Sequence, residues 1–260
     1  MHILSVLWVT IAMQIAIALA AANASAQEQK LGALELSRAR VHQSAEQLYR
    51  TKMASLAAAQ SLDTDVEFLT KATRVLARLK GQAEVAYPES RDWQWELHTS
   101  ADPDETAYAM AGGKLLLSLE QIRQWNLSEN ELAMLLAHEM QHALLDHYRL
   151  EYQLALQMFP SYLVRPFADL ERAIDEDAAV IAALAPLGKE QELEADQAGW
   201  RLARKAGFPT AGLLNFFKKL VKHAGYPNFE SASHPAPAQR YARARQWAIA
   251  QDDSGAANGP

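Results

Sequence analysis

The pattern H-E-x-x-H, running from His138 to His142, constrains this chain more than any other feature of its sequence. On an α-helix at about 100° per residue, the two histidines lie one turn apart on one face, so both imidazoles can reach one metal ion. Glu139 would lie beside them, close enough to accept a proton from a metal-activated water without binding the metal. The pattern therefore predicts a catalytic zinc site; a chance match on a polar helix face is the alternative.

Independent signals predict a helix around this pattern. Ser128 and Glu131 have the spacing of a capping box, in which each side chain binds a backbone N–H near the start of a helix. An apolar stripe with helical spacing follows, formed by Leu132, Leu135, Leu136, Ala143 and Leu144. The two histidines should therefore lie on a helix that packs against a core.

His147 is a further histidine close to the pattern. If the helix continued, His147 would lie about 180° from His138 and about 140° from His142 around the axis. We therefore expect it to pack behind the site without binding the same ion.

The N-terminal segment resembles an export signal. None of the first 26 residues is charged, residues 3–22 form an apolar run, and Ala24-Ser25-Ala26 matches an A-x-A cleavage site. We predict a signal peptide at residues 1–26, periplasmic export, and a single mature domain at 27–251. An uncleaved membrane anchor at 3–22 is the alternative, because the run is long enough to span a bilayer.

Composition excludes several kinds of site and partner. The chain has no cysteine, so disulfides and thiolate metal ligands are excluded. Its net charge is −6 and it has no long basic run, so nucleic acid is not an expected partner. With 260 residues, half of them hydrophobic, it can bury the core of one domain.

Periodicity predicts a mainly helical α+β domain. An N-terminal helical segment is expected at 31–82, closed by Gly81. Alternating side chains predict a strand at 93–98, and a second short strand is expected at 114–118. Helices are expected after the motif at 148–159, 168–185, 189–207 and 210–225, with Thr210 as a cap, then a final helix and a disordered tail at 252–260. The insertion at 148–186 is either a lid over the site or a plain pair of packing helices.

A second acidic element offers the missing metal ligand. Glu192 and Asp196 lie one turn apart on one helix face, whereas Glu194 points elsewhere. The segment from Glu192 to Asp196 reads E-x-x-A-D, and together with H-E-x-x-H it resembles the zinc metallopeptidases of family M48, which include the CAAX-prenyl endopeptidase. The resemblance implies that Glu192 binds the metal with His138 and His142. Asp196 would accept a hydrogen bond from a ligand histidine and fix its orientation.

The resemblance extends to a segment before the motif helix. Residues 106–114 are similar to the family element N-A-F-A-x-P-G-G, with Thr106 in place of Asn and Ala111 in place of Pro. It implies an edge strand beside the cleft that pairs with the backbone of an extended substrate. The implied substrate-binding residues are Tyr108, Ala109, Met110, Ala111, Gly112 and Gly113.

A third element lies near the C-terminus. His234, Pro235 and Arg240 match an H-P-x-x-x-x-R element of periplasmic family members. In some of these members, the histidine can occupy the fourth metal position and inhibit the enzyme. His234 is thus a possible fourth or switch ligand; a loop histidine without metal contact is the alternative.

These features together predict a zincin-like fold with a small antiparallel or mixed sheet beside the motif helix. The expected function is a zinc-dependent endopeptidase with one Zn²⁺ per chain and Glu139 as general base. Its substrates would be unfolded or misassembled envelope polypeptides, as in protein quality control, and envelope assembly complexes are possible partners. The alternative is a chaperone-like binding module in which His234 permanently closes a structural zinc site. Glu139 favours the enzyme, because a structural site has no use for an acid that is not a ligand.

Overall fold

The computed structural model describes residues 36–256, which are mainly helical with one small sheet. The helices are α1 (Arg38–Ala58), α2 (Val66–Ala86), α3 (Leu119–Trp125), α4 (Glu129–Leu144), α5 (His147–Met158), α6 (Phe167–Glu176), α7 (Ala178–Lys205), α8 (Thr210–His223) and α9 (Pro237–Ala256). The strands are β1 (Glu96–Ser100), β2 (Tyr108–Met110) and β3 (Lys114–Ser118), and Pro88–Asp92 and Pro160–Val164 form 3₁₀ turns. The predicted mainly helical α+β class is confirmed.

The predicted signal peptide at 1–26, including the apolar run at 3–22, lies outside the described residues. Within residues 36–256, no helix combines the length and apolar character needed to cross a bilayer.

Helix α4 carries the H-E-x-x-H pattern and lies at the centre of the fold. The predicted capping box is present at its start: the Ser128 hydroxyl accepts from the Glu131 N–H, and the Glu131 carboxylate accepts from the Ser128 N–H. Most residues of α4 are buried, and they lie on all of its faces, because α2, α7 and α8 all pack against this helix. The motif is therefore held by a helix enclosed in the core.

The sheet has the strand order β1-β3-β2, parallel between β1 and β3 and antiparallel between β2 and β3. The central strand β3 is buried throughout, and β2 forms the edge next to α4. Helix α1 packs on the sheet, where the Tyr49 hydroxyl donates to the Leu115 carbonyl at 2.7 Å. The predicted small sheet beside the motif helix is thus confirmed as a mixed sheet.

The N-terminal half differs from the prediction in three places, the first being that residues 59–65 divide the helical segment expected at 31–82 into α1 and α2. Gly81 does not end a helix, because buried Leu79 and Ala83 on either side of it keep α2 helical to Ala86. The first strand begins later than predicted, at Glu96. Its predicted start is occupied by Trp93 and Trp95, whose rings pack against each other with centroids 5.4 Å apart.

The C-terminal half differs more. The helix expected at 168–185 is interrupted at Asp177, whose carboxylate caps a new helix by accepting from two backbone N–H groups. That helix, α7, then passes through Pro186 without a break and replaces the separate helix expected from Lys189. Buried residues on both sides of Pro186 hold α7 together despite the lost backbone hydrogen bond. Thr210 is the first residue of α8 and not its cap, and residues 252–256 of the expected tail are helical.

Helices α4 and α7 approach closely at Gly199. A Cβ atom at this position would lie 2.9 Å from the His138 backbone nitrogen and 3.1 Å from the Ala137 carbonyl oxygen. Only a glycine allows this approach without displacing backbone. The two helices that carry the predicted metal ligands are therefore in direct contact beside the motif.

Candidate metal centre

Three side chains from α4 and α7 converge on one point. His138 and His142 turn their Nε2 atoms toward each other, 3.2 Å apart. The Glu192 carboxylate completes the group, with one oxygen 3.3 Å from His142 Nε2 and the other 3.6 Å from His138 Nε2. Within residues 36–256, these three side chains form the one group of histidine and acidic residues whose ligand atoms lie close enough together to bind a metal ion.

The spacing and charge of this group fit a tetrahedral metal ion. Zinc–ligand bonds of about 2.0–2.1 Å place the ligand atoms of a tetrahedral site roughly 3.3–3.4 Å apart. The closest contacts among the three side chains lie near that value: 3.2 Å between the histidines, and 3.3 and 3.6 Å from them to the two different Glu192 oxygens. Burial disfavours a charged His138, but Glu192 and Asp196 outweigh burial and raise its pKa to about 10. The buried carboxylates thus favour a positive charge here, which a metal ion would supply.

Asp196 orients the first histidine. Its Oδ1 lies 3.0 Å from His138 Nδ1, so a proton on Nδ1 is shared with the carboxylate and Nε2 is left free for the metal. The Arg240 guanidinium, on α9, donates two hydrogen bonds of 2.7 Å to the same carboxylate. It also lies 3.0 Å from a Glu192 oxygen. Burial alone would raise the pKa of Asp196, but Arg240 lowers it, so the carboxylate stays ionised.

His147 orients the second histidine. The chain reverses at Asp146, which adopts left-handed backbone angles, and α5 then starts at His147. This reversal places His147 Nδ1 3.1 Å from His142 Nδ1. Burial lowers the pKa of His147 to about 3, so its ring is neutral and its Nδ1 can accept a hydrogen bond from His142 Nδ1–H. His147 therefore packs behind a ligand as expected, although by a chain reversal and not by position on a continuous helix.

Glu139 lines the same cleft as the three converging side chains. Burial raises the pKa of its carboxyl. A carboxylate with a raised pKa is a stronger base than one in water, and general-base catalysis is most efficient when the pKa lies near the working pH. The arrangement suits proton transfer beside the metal position.

His234 lies at the edge of the cluster. Its Nε2 is 3.7 Å from a Glu192 oxygen, and its side chain is 55% exposed. Ser233 Oγ lies 2.8 Å from His234 Nδ1, which leaves Nε2 directed at the cluster. His234 is not one of the three side chains that converge on the metal position, but it is within reach of that position from a loop.

The predicted substrate strand is only partly in the cleft. Tyr108 lines the cleft, which has a volume of about 470 Å³, together with Thr106 and Ala107. Met110 and Ala111 line a neighbouring cavity instead. Gly112 and Gly113 form a turn with positive φ angles, packed against His42 and Trp95 respectively.

Several residues of the cleft were not predicted from the sequence, among them two on α5. Tyr148 and Glu151, one turn apart on α5, face the motif helix from the far wall. The Tyr148 hydroxyl donates to the Ala109 carbonyl on the edge strand. No local pattern marks either residue, because the break at Asp146 sets the direction of α5.

Comparisons with known proteins agree with this centre. A sequence model described as Peptidase family M48 matches residues 69–248, more than half of the chain. The mitochondrial metalloendopeptidase OMA1 of Schizosaccharomyces pombe is 26% identical over 180 residues, which are 67% of this chain and 51% of the relative. The chain thus spans about half the length of that curated relative. The range matched by the family includes all the metal-centre residues described above.

Proposed function

Because this chain belongs to peptidase family M48, we propose that it is a zinc-dependent endopeptidase that cleaves unfolded or misassembled proteins of the cell envelope. The observation that carries the proposal is the convergence of His138, His142 and Glu192 beside an acid, Glu139, that is not part of the ligand set. A purely structural metal site would gain nothing from that acid.

The residues of the cleft divide the chemistry among them. A zinc ion, when bound, acts as a Lewis acid that lowers the pKa of a bound water and polarises the scissile carbonyl. Glu139 takes a proton from the attacking water and returns it to the leaving amine. Asp196 and His147 hold the two ligand histidines in the orientations that keep their Nε2 atoms available.

Strand β2 is the proposed docking edge for the substrate backbone. A free edge strand binds an extended peptide through main-chain hydrogen bonds, which suits substrates of varied sequence. The Ala109 carbonyl on this edge already accepts a hydrogen bond from Tyr148. A substrate strand that used this carbonyl would displace the tyrosine, so we propose that binding and movement of Tyr148 are linked.

The envelope location is part of the proposal. It is supported by the uncharged N-terminal segment with its A-x-A site, and envelope assembly complexes are the proposed partners. The mature chain would then meet unfolded polypeptides outside the cytoplasm.

Metal removal and restoration test the proposed activity. We expect the chelated protein not to cleave an unfolded protein such as reduced, alkylated casein, and one equivalent of Zn²⁺ to restore cleavage. The bound metal would be counted by mass spectrometry under native conditions. Full metal binding without cleavage would instead favour a zinc-stabilised binding module.

His234→Ala tests the proposed switch. If His234 blocks the fourth metal position at rest, its removal should raise kcat/KM on the unfolded substrate, by about tenfold if the closed form holds about nine tenths of the molecules. Asn228→Ala is the matched control, because it alters an exposed residue of the same loop and leaves the contacts of His234 in place. An unchanged or lower rate for His234→Ala would contradict self-inhibition.

A further inference from the structure

A second cavity lies directly behind the catalytic cleft. It is enclosed by α1, β2, α5 and α6 and has a volume of about 300 Å³. Tyr148 and Glu151 line both spaces and so form the wall between them. Met110 lines the cavity from β2, one residue beyond Ala109, whose carbonyl is at the free edge of the strand. A side chain from a substrate bound along β2 would therefore be close to this cavity.

The wall of the cavity combines apolar side chains with carboxylates. Val41, Leu48 and Met110 contribute apolar surface. The carboxylates are those of Glu151, Glu171 and Asp175, and Glu171 accepts a hydrogen bond from Ser44 at 2.6 Å. Within the described part of the chain, Glu151 and Asp175 have no lysine, arginine or histidine partner within 4.0 Å; Arg172, which also lines the cavity, is exposed at the surface.

The partly buried Glu151 carboxylate is in an unfavourable environment. Burial, and to a smaller extent the negative charge of Asp175, raises the pKa of Glu151 to about 7. Asp175 is an exposed residue of the same wall, and its pKa is raised as well, by desolvation and by the charge of Glu176. A cation placed between them would relieve both the burial and the repulsion.

The chemistry of the wall limits what that cation can be. Metal ions need converging ligand atoms, and within residues 36–256 only the cluster at His138 brings three of them together. An apolar side chain would remove water from the Glu151 carboxylate without giving it a partner, which is costly. A long side chain with an apolar stem and a charged end satisfies both parts of the wall.

We propose that this cavity is the subsite through which the enzyme prefers a lysine or arginine close to the scissile bond, with Glu151 and Asp175 binding the cation. The inference rests on the proposed peptidase function and deepens it by naming a substrate side chain. It makes Glu151 a residue that determines specificity.

Peptide binding without cleavage tests the subsite. The probe is a set of labelled extended peptides, identical except that one position at a time carries lysine or norleucine, which has a similar stem without the charge. They are titrated against metal-loaded Glu139→Gln protein, in which the proposed chemistry is blocked. At one position, lysine should bind about tenfold or more tighter than norleucine, as expected for a desolvated charge pair.

Charge removal in the cavity should abolish that discrimination. In Glu139→Gln/Glu151→Gln, the lysine-to-norleucine ratio should fall to about one, and Asp175→Asn in the same background should lower it as well. Glu139→Gln/Glu176→Gln is the matched control, because Glu176 neighbours Asp175 but does not line the cavity; it should keep the ratio. Absence of discrimination at every position, or a ratio unaffected by Glu151→Gln, would overturn the subsite.

Cleavage of the same peptides by the wild type separates the subsite from the activity. Discrimination in binding without any cleavage would leave the subsite standing and defeat the proposed peptidase function. Cleavage without discrimination in binding would support the peptidase function and overturn the subsite. Circular dichroism and metal content confirm that each variant compared is folded and loaded.

Discussion

Glu139→Gln should abolish most proteolysis while leaving the metal in place. General-base catalysis contributes about 10²–10⁴-fold, so we expect kcat on an unfolded substrate to fall by that factor. The amide keeps the size of the side chain but cannot accept the proton. Because Glu139 is not among the converging ligands, the metal content should remain one ion per chain. Activity and metal content would be measured on the same preparation.

The stability of Glu139→Gln provides a second readout. The raised pKa of Glu139 means that the fold disfavours its ionised form. Above the ordinary carboxyl pKa, the charge therefore costs stability in the folded chain, and a neutral amide removes that cost. We expect the midpoint of urea unfolding to stay the same or rise, so the loss of activity cannot be attributed to unfolding.

Glu129→Gln is the matched control for this experiment. It makes the same chemical change on the same helix, at an exposed position in the first turn and outside the cleft. Its activity should equal that of the wild type. A Glu139→Gln protein that keeps more than about a tenth of the activity would place the base elsewhere, and one that loses its metal would make Glu139 a ligand.

Arg240→Met should destabilise the chain more than any other single change considered. The guanidinium is 5% exposed and contacts the carboxylates of Asp196 and Glu192. Removing one partner of a buried ion pair costs about 3–5 kcal/mol, because the remaining charge is left without compensation. We expect the free energy of unfolding, measured in urea with the metal chelated, to fall by that amount.

Two further variants separate charge from geometry at Arg240. Arg240→Lys keeps the charge but cannot make the two parallel contacts with Asp196, so its loss should be intermediate. Arg243→Met makes the same change as Arg240→Met on the exposed side of α9 and should lie within about 0.5 kcal/mol of the wild type. If Arg240→Met also lies within that range, the ion pair with Asp196 does not support the fold.

Metal affinity should follow the same order among these variants. Arg240 holds the Asp196 carboxylate in place, and that carboxylate orients His138. Loss of the Arg240 guanidinium should therefore weaken metal binding by about 10–100-fold, which is the usual effect of removing a group that orients a ligand. Competition with a chelator of known affinity would measure this change in folded protein.

Short spacings in the sequence determined the chemistry of the centre. H-E-x-x-H and E-x-x-A-D place their side chains by helix periodicity, which depends only on local geometry, and the capping box fixes where α4 begins. Helix periodicity placed His138 beside His142, and the resemblance to family M48 implied Glu192 as the third ligand; the three side chains converge in the structure. The mainly helical class also followed from local patterns, whereas the edge position of β2 was implied by the resemblance to family M48.

The helix boundaries that were predicted wrongly are those at which tertiary packing outweighs the preference of a single residue. Gly81 and Pro186 both suggested helix ends, but buried side chains on either side keep each helix continuous. Asp177 interrupts a helix that the composition alone extends through it. At these positions, the energy of tertiary packing exceeds the propensity of a single residue.

Only the tertiary structure decided how the two metal-binding helices meet and what surrounds them. The contact at Gly199 brings α7 onto the backbone of α4, and Arg240 reaches Asp196 from a helix more than forty residues later in the chain. The reversal at Asp146 turns His147 onto His142 and directs Tyr148 and Glu151 into the cleft. These arrangements depend on contacts between distant segments, which helix and strand periodicity do not encode. The sequence by itself therefore determined which groups can hold the metal, and the packing of the helices determined which side chains orient them and what lies beside them.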